Sequence, residues 1–356
     1  MKAFKYLVLY LLILQLMIPI VFSLDVAYNH RMEYPMVKNN TANIDVILDQ
    51  IHRRIEHDNV RDYIILLGDS VAYSGPGSSQ QSIGPYLEQY YQEQGEVITV
   101  FNLAMPAMQV GDIYTMLLKL DQHNISTDRL IFNVIYAGFA ERQPDPPIVF
   151  WLQDDLSRLD HTAFENIKPA LEANQWTTEK NFPEKVNHLV TNNLTLFSYK
   201  DFIKADVIHR IDAFHGIKRD DSLGDNRPWY EKEGLKEALN TPAYQKGFSI
   251  NAFDMSKTNP QICFLDKIAR HQEGKKALVF LGPVNPELME QVNLPEYQDN
   301  LQQIQHYFSN DDWQYIDFHG QIDENLFTDH VHLIAEGYQV LARELGENFV
   351  IGAKNR

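Results

Sequence analysis

Two short stretches at opposite ends of the chain hold residue types that together could move an acyl group. Gly68-Asp69-Ser70 ends an apolar run, and Asp329 and His332 stand just ahead of the helical run from Ala335 to Phe349. A serine hydroxyl becomes a nucleophile when an imidazole takes its proton, and a carboxylate on the other ring nitrogen holds the imidazole ready. Ser70 would attack, His332 would carry the proton as general acid and base, and Asp329 would orient the ring. Gly68 permits a sharp turn, and the amide of Ser70 itself can face a developing oxyanion. Gly-Asp-Ser alone is also ordinary turn chemistry, and an Asp at a helix entry is also a good N-cap. A cap leaves His332 without a task. Metal ligation is a further use for such a pair, with His330 and Asp317 available, but no third ligand stands at matched spacing and no metal or other cofactor is expected. His330 competes with His332 for the role of base; the three-residue spacing from Asp329 favours His332.

These residues need a scaffold that brings residue 70 to residue 332. Tyr63 to Leu67 is a continuous apolar run that stops at Gly68, and similar runs follow at Val97 to Leu103, Leu130 to Ile135 and Ala277 to Leu281. A shorter one spans Gln314 to Phe318. Short runs without alternation suit strands covered on both faces, as in a parallel sheet. Helical patterns lie between them, at Ile83 to Tyr91 and at Val110 to Leu120, where Ile113, Met116, Leu117 and Leu120 form a stripe. Strand and helix in alternation predict a doubly wound parallel α/β sheet of about five strands. In such a sheet the ligand crevice lies at the carboxyl ends of the strands, where Ser70 would sit. The segment from about 144 to 259 breaks the rhythm, and its apolar residues recur at helical spacing, as in Phe164, Ile167 and Leu171. It reads as a helical insertion between the third and fourth strands, able to cap the crevice. Arg227, Trp229 and Tyr230 within it could stack on a sugar or simply pack.

The N-terminus is the sharpest compositional break. Lys2 and Lys5 precede an apolar run from Tyr6 to Leu24, so residues 1–24 read as a membrane anchor or a signal peptide. The lysines before the run place the body outside the cytoplasm, either held at the membrane by a single span or secreted after cleavage. Residues 25–58 read as a polar stem with a helix around Ile44 to Ile55, followed by the α/β domain over 59–350. A formal net charge of −17 excludes nucleic acid, whose phosphates are held mainly by Lys and Arg. The single cysteine, Cys263, excludes an intramolecular disulfide.

Gly68-Asp69-Ser70 near the start of the body, with Asp329-x-x-His332 and Gly337-Tyr338 near its end, resembles the SGNH (GDSL) hydrolase superfamily. The resemblance covers about 60–350 apart from the insertion, and implies a flavodoxin-like fold, a Ser-His-Asp triad and acyl-ester chemistry. It also implies a second oxyanion amide after the second strand, which falls on Ala104 in Asn102-Leu103-Ala104-Met105. The family's third donor, an asparagine after the third strand, is absent from Val134-Ile135-Tyr136-Ala137-Gly138; Asn133 stands earlier, inside the strand, with its side chain expected to point elsewhere. The anchor, the insertion and Pro283-Val284-Asn285-Pro286 look like the membrane-anchored members, which work beside membrane-bound O-acyltransferases on extracellular polymers. By that likeness the substrate is a short acyl ester on cell-envelope carbohydrate, taken by hydrolysis or acyl transfer. A membrane-bound O-acyltransferase is the partner so implied, and Asn285 is a possible substrate contact. The other reading is a non-catalytic accessory module that keeps the fold and binds an envelope polymer or a membrane acyltransferase.

Overall fold

The computed structural model describes residues 2–140, 146–176, 194–217, 220–309 and 313–349. Parts of the expected insertion, 144–145, 177–193 and 218–219, therefore lie outside the described residues. Five strands form one parallel sheet in the order β2-β1-β3-β4-β5. They are β1 (Tyr63–Leu67), β2 (Thr99–Asn102), β3 (Arg129–Val134), β4 (Lys276–Leu281) and β5 (Gln314–Asp317). This is the flavodoxin-like doubly wound arrangement, in which the chain reverses direction across the sheet between β1 and β3.

Successive residues of each strand feed opposite faces. Ile64, Leu66, Val100, Ile131, Leu278 and Phe280 join one apolar cluster, beneath the helices Ile83–Glu93 and Ala335–Asn348. Ile65, Leu67, Phe101, Leu130, Phe132 and Val279 join the other, with the helices Val110–Gln122, Pro260–His271 and Pro295–Phe308. Burial on both faces explains why the strands are unalternating apolar runs.

Residues 25–58 do not form a stem. Ile44, Val46, Ile47, Leu48 and Ile51 of the helix Asn43–His57 are all buried in the second cluster. Lys119, fully buried on the helix Val110–Gln122, meets Asp45 at 2.6 Å and Asp155 at 3.0 Å. The Tyr28 hydroxyl donates to Val100 O at 3.2 Å and accepts from Asn102 N at 2.8 Å, so it closes the outer edge of β2. The apolar face of this segment was visible in its sequence; its partner, the sheet's own helix layer, was not.

The helix Lys2–Val21 contains an 18-residue window of mean hydropathy 2.1, of which 6% is buried. A membrane span and a signal sequence both fit it. Its last turn touches the body, where Ile18 is buried and Gln50 Nε2 donates to Pro19 O at 2.9 Å.

Candidate active site

The turn after β1 is built around Gly68. Its φ of 140° is open to glycine, and a Cβ there would collide with the side-chain amide of Asn133. That amide fills the space because Asn133 Oδ1 accepts from Asp69 N and Asn133 Nδ2 donates to Asp69 Oδ1, both at 2.8 Å. Asp69 Oδ1 also accepts from Val71 N at 2.8 Å, which caps the helical turn Ser70–Tyr73. Burial pushes the Asp69 carboxyl up, against the hydrogen bonds that hold it charged. Ser70 thus occupies the first position of a capped turn, where its own amide has no helical carbonyl to reach.

The far side of the turn is held by both ends of the chain. Arg31, 2% exposed, donates to Tyr73 O and Ser74 O, each at 3.0 Å, to Gly77 O at 2.7 Å and to Asp221 O at 3.1 Å. The Tyr338 hydroxyl donates to Gly75 O at 2.6 Å. Arg31 carried no sequence signal beyond being a charge in an otherwise ordinary polar segment.

The second half of the site is the loop between Phe327 and Leu333, which pair across it as an antiparallel bridge. Asp329 Oδ1 accepts from Val331 N at 2.9 Å and His332 N at 2.8 Å, leaving Oδ2 to meet His332 Nδ1 at 2.7 Å. His332 Nε2 stands 2.8 Å from Ser70 Oγ. With Nδ1 protonated toward the carboxylate, Nε2 is the acceptor for the serine proton. Burial alone would raise the Asp329 pKa, but the charge and hydrogen bond of His332 hold it well below the usual carboxylate range. Burial likewise opposes a charged His332, and the Asp329 carboxylate outweighs it, so the imidazole pKa lies above its ordinary value.

Ser70, His332 and Asp329 are therefore brought into one hydrogen-bonded line. The other expected site residues are placed differently. The amide of Ala104 is fully buried and donates to Asn102 Oδ1 at 3.0 Å, so it is already engaged and is not free for an oxyanion. Asn285 is fully buried rather than at the rim; its Oδ1 accepts from Glu287 N at 2.9 Å and its Nδ2 donates to Glu324 O at 3.3 Å. Its own amide donates to His330 O at 2.9 Å, which makes it a brace for the histidine loop rather than a substrate contact. Trp229 packs against the same loop, its Nε1 donating to Glu324 O at 2.8 Å, and Arg227 pairs with Asp225 at 2.8 Å. Among the described residues no three His, Cys, Asp or Glu side chains gather as a metal site. Asp317 pairs with His319 instead, at 2.8 Å.

His330 stands beside this line, not in it. Its Nδ1 is 3.6 Å from Asp329 Oδ1, buried and without a hydrogen bond. The ring is held edge-on between Tyr244 and Phe248, at 5.4 and 5.8 Å between centroids, and forms part of the wall of a cavity of about 440 Å3.

No family model matches the chain, and no curated protein does. Among solved structures, a member of the lipolytic protein G-D-S-L family from Veillonella parvula is similar at 11% identity over 81% of this chain and 97% of that one, with a TM-score of 0.37. A protein described as lipolytic and of the G-D-S-L family, from Desulfitobacterium hafniense, is similar at 12% identity over 81% of this chain and 99% of its own, with a TM-score of 0.33. A gut microbial diltiazem-metabolizing enzyme is similar at 10% identity, 81% of this chain covering 46% of that one, with a TM-score of 0.33. Similarity this distant assigns no residue a role.

Proposed function

We propose that the protein is a serine acyl-ester enzyme that works through an acyl-Ser70 intermediate. The observation that carries this reading is the continuous line from Ser70 Oγ to His332 Nε2 at 2.8 Å and from His332 Nδ1 to Asp329 Oδ2 at 2.7 Å. As Ser70 Oγ bonds to the ester carbon, its proton passes to His332 Nε2, and Asp329 stabilises the imidazolium. The carbonyl oxygen takes the negative charge within reach of the Ser70 amide. Collapse breaks the bond to the alcohol, which leaves with the proton from His332. Water or an acceptor hydroxyl then gives its proton to His332, attacks the acyl-serine and releases Ser70 reprotonated.

The amide at Ala104 is engaged with Asn102 and the amide of Asn133 with Asp69, so Ser70 N–H is the one expected donor left for the oxyanion. A missing donor costs on the order of 100- to 1,000-fold in rate, so turnover should be slow for this chemistry. The N-terminal apolar helix, with Lys2 and Lys5 on its cytoplasmic side, would set the body outside the cell. There the substrate would be an acyl ester on envelope carbohydrate, and a membrane-bound O-acyltransferase the partner it would meet.

The test is incubation of the full chain with p-nitrophenyl acetate and with a serine-directed sulfonyl fluoride. Ser70-dependent turnover, or a sulfonyl adduct mapped to Ser70, is the expected result. Absence of both, or hydrolysis unchanged in Ser70→Ala, would overturn the assignment.

A further inference from the structure

The cavity beside Ser70 is larger and less polar than an acetyl group requires. Its volume is about 440 Å3, within the range of roughly 300–1,000 Å3 of sites that enclose whole small molecules. Asp69 and Val71, the neighbours of Ser70 on either side, form its floor, and His330 and Val331 bring its wall to the edge of His332. Ile135, Tyr136 and Ala137 at the end of β3 and Pro283 and Val284 at the end of β4 form its sides. Tyr244, Lys246 and Phe248 line it from the insertion.

The polar groups in this wall are few, and most are committed. The floor carboxylate of Asp69 is held by Val71 N and Asn133. The Tyr136 hydroxyl, on the end of a wall ring, donates to Ser249 O at 2.7 Å and accepts from Asn300 Nδ2 at 2.9 Å. Lys246 is exposed, so its charge belongs to the mouth. His330 is the remaining polar ring, and burial lowers its pKa toward the neutral form. A sugar unit placed here would bury several hydroxyls with few partners, which is costly, whereas an apolar chain or ring would lose nothing and gain its transfer from water.

We propose that this cavity is a specificity pocket for an apolar chain or ring of the ester, several carbons longer than acetyl, with the insertion residues Tyr244 and Phe248 in its wall. The proposal rests on the serine-ester reading of the same site and adds to it the class of substrate. The apolar group can be the acyl chain or the alcohol, and the experiment separates the two.

Full-length protein would be assayed with two ester series, ethyl esters from acetate to hexanoate and acetates from ethyl to hexyl. In the series whose varied part enters the cavity, kcat/KM should rise about fourfold for each added methylene, the value of one buried methylene group. Ala137→Phe places a ring in the cavity and should pull the hexanoate-to-acetate or hexyl-to-ethyl ratio back toward unity. An arm without turnover uses the Ser70→Ala protein and calorimetry, where ethyl hexanoate or hexyl acetate should bind and ethyl acetate should not.

A flat or falling profile in both series, or equal slopes in wild type and Ala137→Phe, overturns the pocket while Ser70-dependent turnover of acetate leaves the ester reading standing. Binding of the longer ester to Ser70→Ala in a protein with no turnover keeps the pocket and sinks the ester reading. Failure of both longer esters to bind Ser70→Ala overturns the pocket on its own.

Discussion

Gly68 and Asn133 occupy one small space under the nucleophile, and their substitution should be strongly non-additive. Asn133→Ala leaves Asp69 N buried without an acceptor and removes one of the two donors to Asp69 Oδ1. An unsatisfied buried amide costs about 1–3 kcal/mol and a lost bond to a charged group about 1.5–3 kcal/mol, so the single substitution should cost about 3–5 kcal/mol. Gly68→Ala meets two penalties. A φ of 140° strains any side chain by about 1–3 kcal/mol. The new Cβ would also overlap Asn133 Oδ1 and stand 2.9 Å from Ala72 Cβ. The Asn133 side chain must leave, which forfeits the same two hydrogen bonds, so this substitution should cost about 4–8 kcal/mol.

The double variant pays for those bonds once. Its cost should fall short of the sum of the singles by about 3–5 kcal/mol, far outside the agreement of about 0.5 kcal/mol expected of independent sites. The measurement is urea denaturation of all four proteins at constant m, with kcat on p-nitrophenyl acetate read in parallel. All three variants should lose kcat, because Ser70 rides on the turn that these bonds hold. Additive free energies would refute the shared-space reasoning, and full kcat in Asn133→Ala would refute the claim that this amide positions Ser70.

The histidine must be neutral to take the serine proton, and its folded pKa is raised, so activity should fall as pH drops through a value above the ordinary 6.5 of histidine; a pH profile of kcat/KM with its acid limb below 6.5 would contradict the Asp329 pairing. Asp329→Asn should leave the fold intact and lower kcat about ten-thousand-fold, as expected when the ring loses its orienting carboxylate, measured with circular dichroism as control. Lys119→Met removes the cation from between Asp45 and Asp155 and should destabilise by about 3 kcal/mol in urea melts, with kcat/KM little changed. The same cluster gives stability a pH window. Burial opposes charge on both groups, but the hydrogen bonds and charges of Asp45 and Asp49 raise His123 to about 9, and those of His123 and Lys119 lower Asp45 to about 2. Its contribution is complete between the unfolded carboxylate value of 3.8 and the unfolded histidine value of 6.5, and is lost progressively as pH rises from there through about 9 or falls through about 2; thermal melts should show a plateau between 3.8 and 6.5 and a decline on either side.

Much of the scaffold was legible because a parallel sheet covered on both faces forces short apolar runs, and five such runs in the chain became β1 to β5. Ser70, Asp329 and His332 were legible as types at a meaningful spacing. Their meeting depends on the end of β1 and the loop before the last helix lying at one edge of the sheet, which neither local sequence states. Three other features left no usable mark. An Asn at position 102 does not announce that its side chain will occupy the amide of Ala104. An Asn flanked by Pro283 and Pro286 reads equally as rim or as brace, and only burial made Asn285 a brace. The helix Asn43–His57 displayed its apolar stripe plainly, yet a stripe does not name the surface that will cover it. Asn133 did carry a hint: a polar side chain inside a strand buried on both faces must find a partner. The partner proved to be the nucleophile turn.

The insertion does more in this fold than cover a crevice. Thr328, fully buried beside Asp329, donates to Arg227 O at 2.7 Å and stands 2.6 Å from Lys232 Nζ, which in turn donates to Asp225 O at 2.7 Å. Trp229 N donates to Phe327 O at 3.0 Å, at the entry of the same loop. One stretch of the insertion, Asp225 to Lys232, is therefore bonded to the loop that carries Asp329 and His332, while another, Tyr244 to Phe248, lines the cavity and holds the ring of His330 two residues from His332. Asn285, just after β4, braces the loop through its amide to His330 O at 2.9 Å, whereas β5 ends at Asp317, well before it. The orientation of His332 toward Ser70 thus draws on contacts made by a segment that interrupts the sheet between β3 and β4, together with Asp329 and the Asn285 brace. A substitution in the insertion that loosens Asp225 to Lys232 should lower kcat through the histidine, whereas one at Phe248 should act on KM through the cavity.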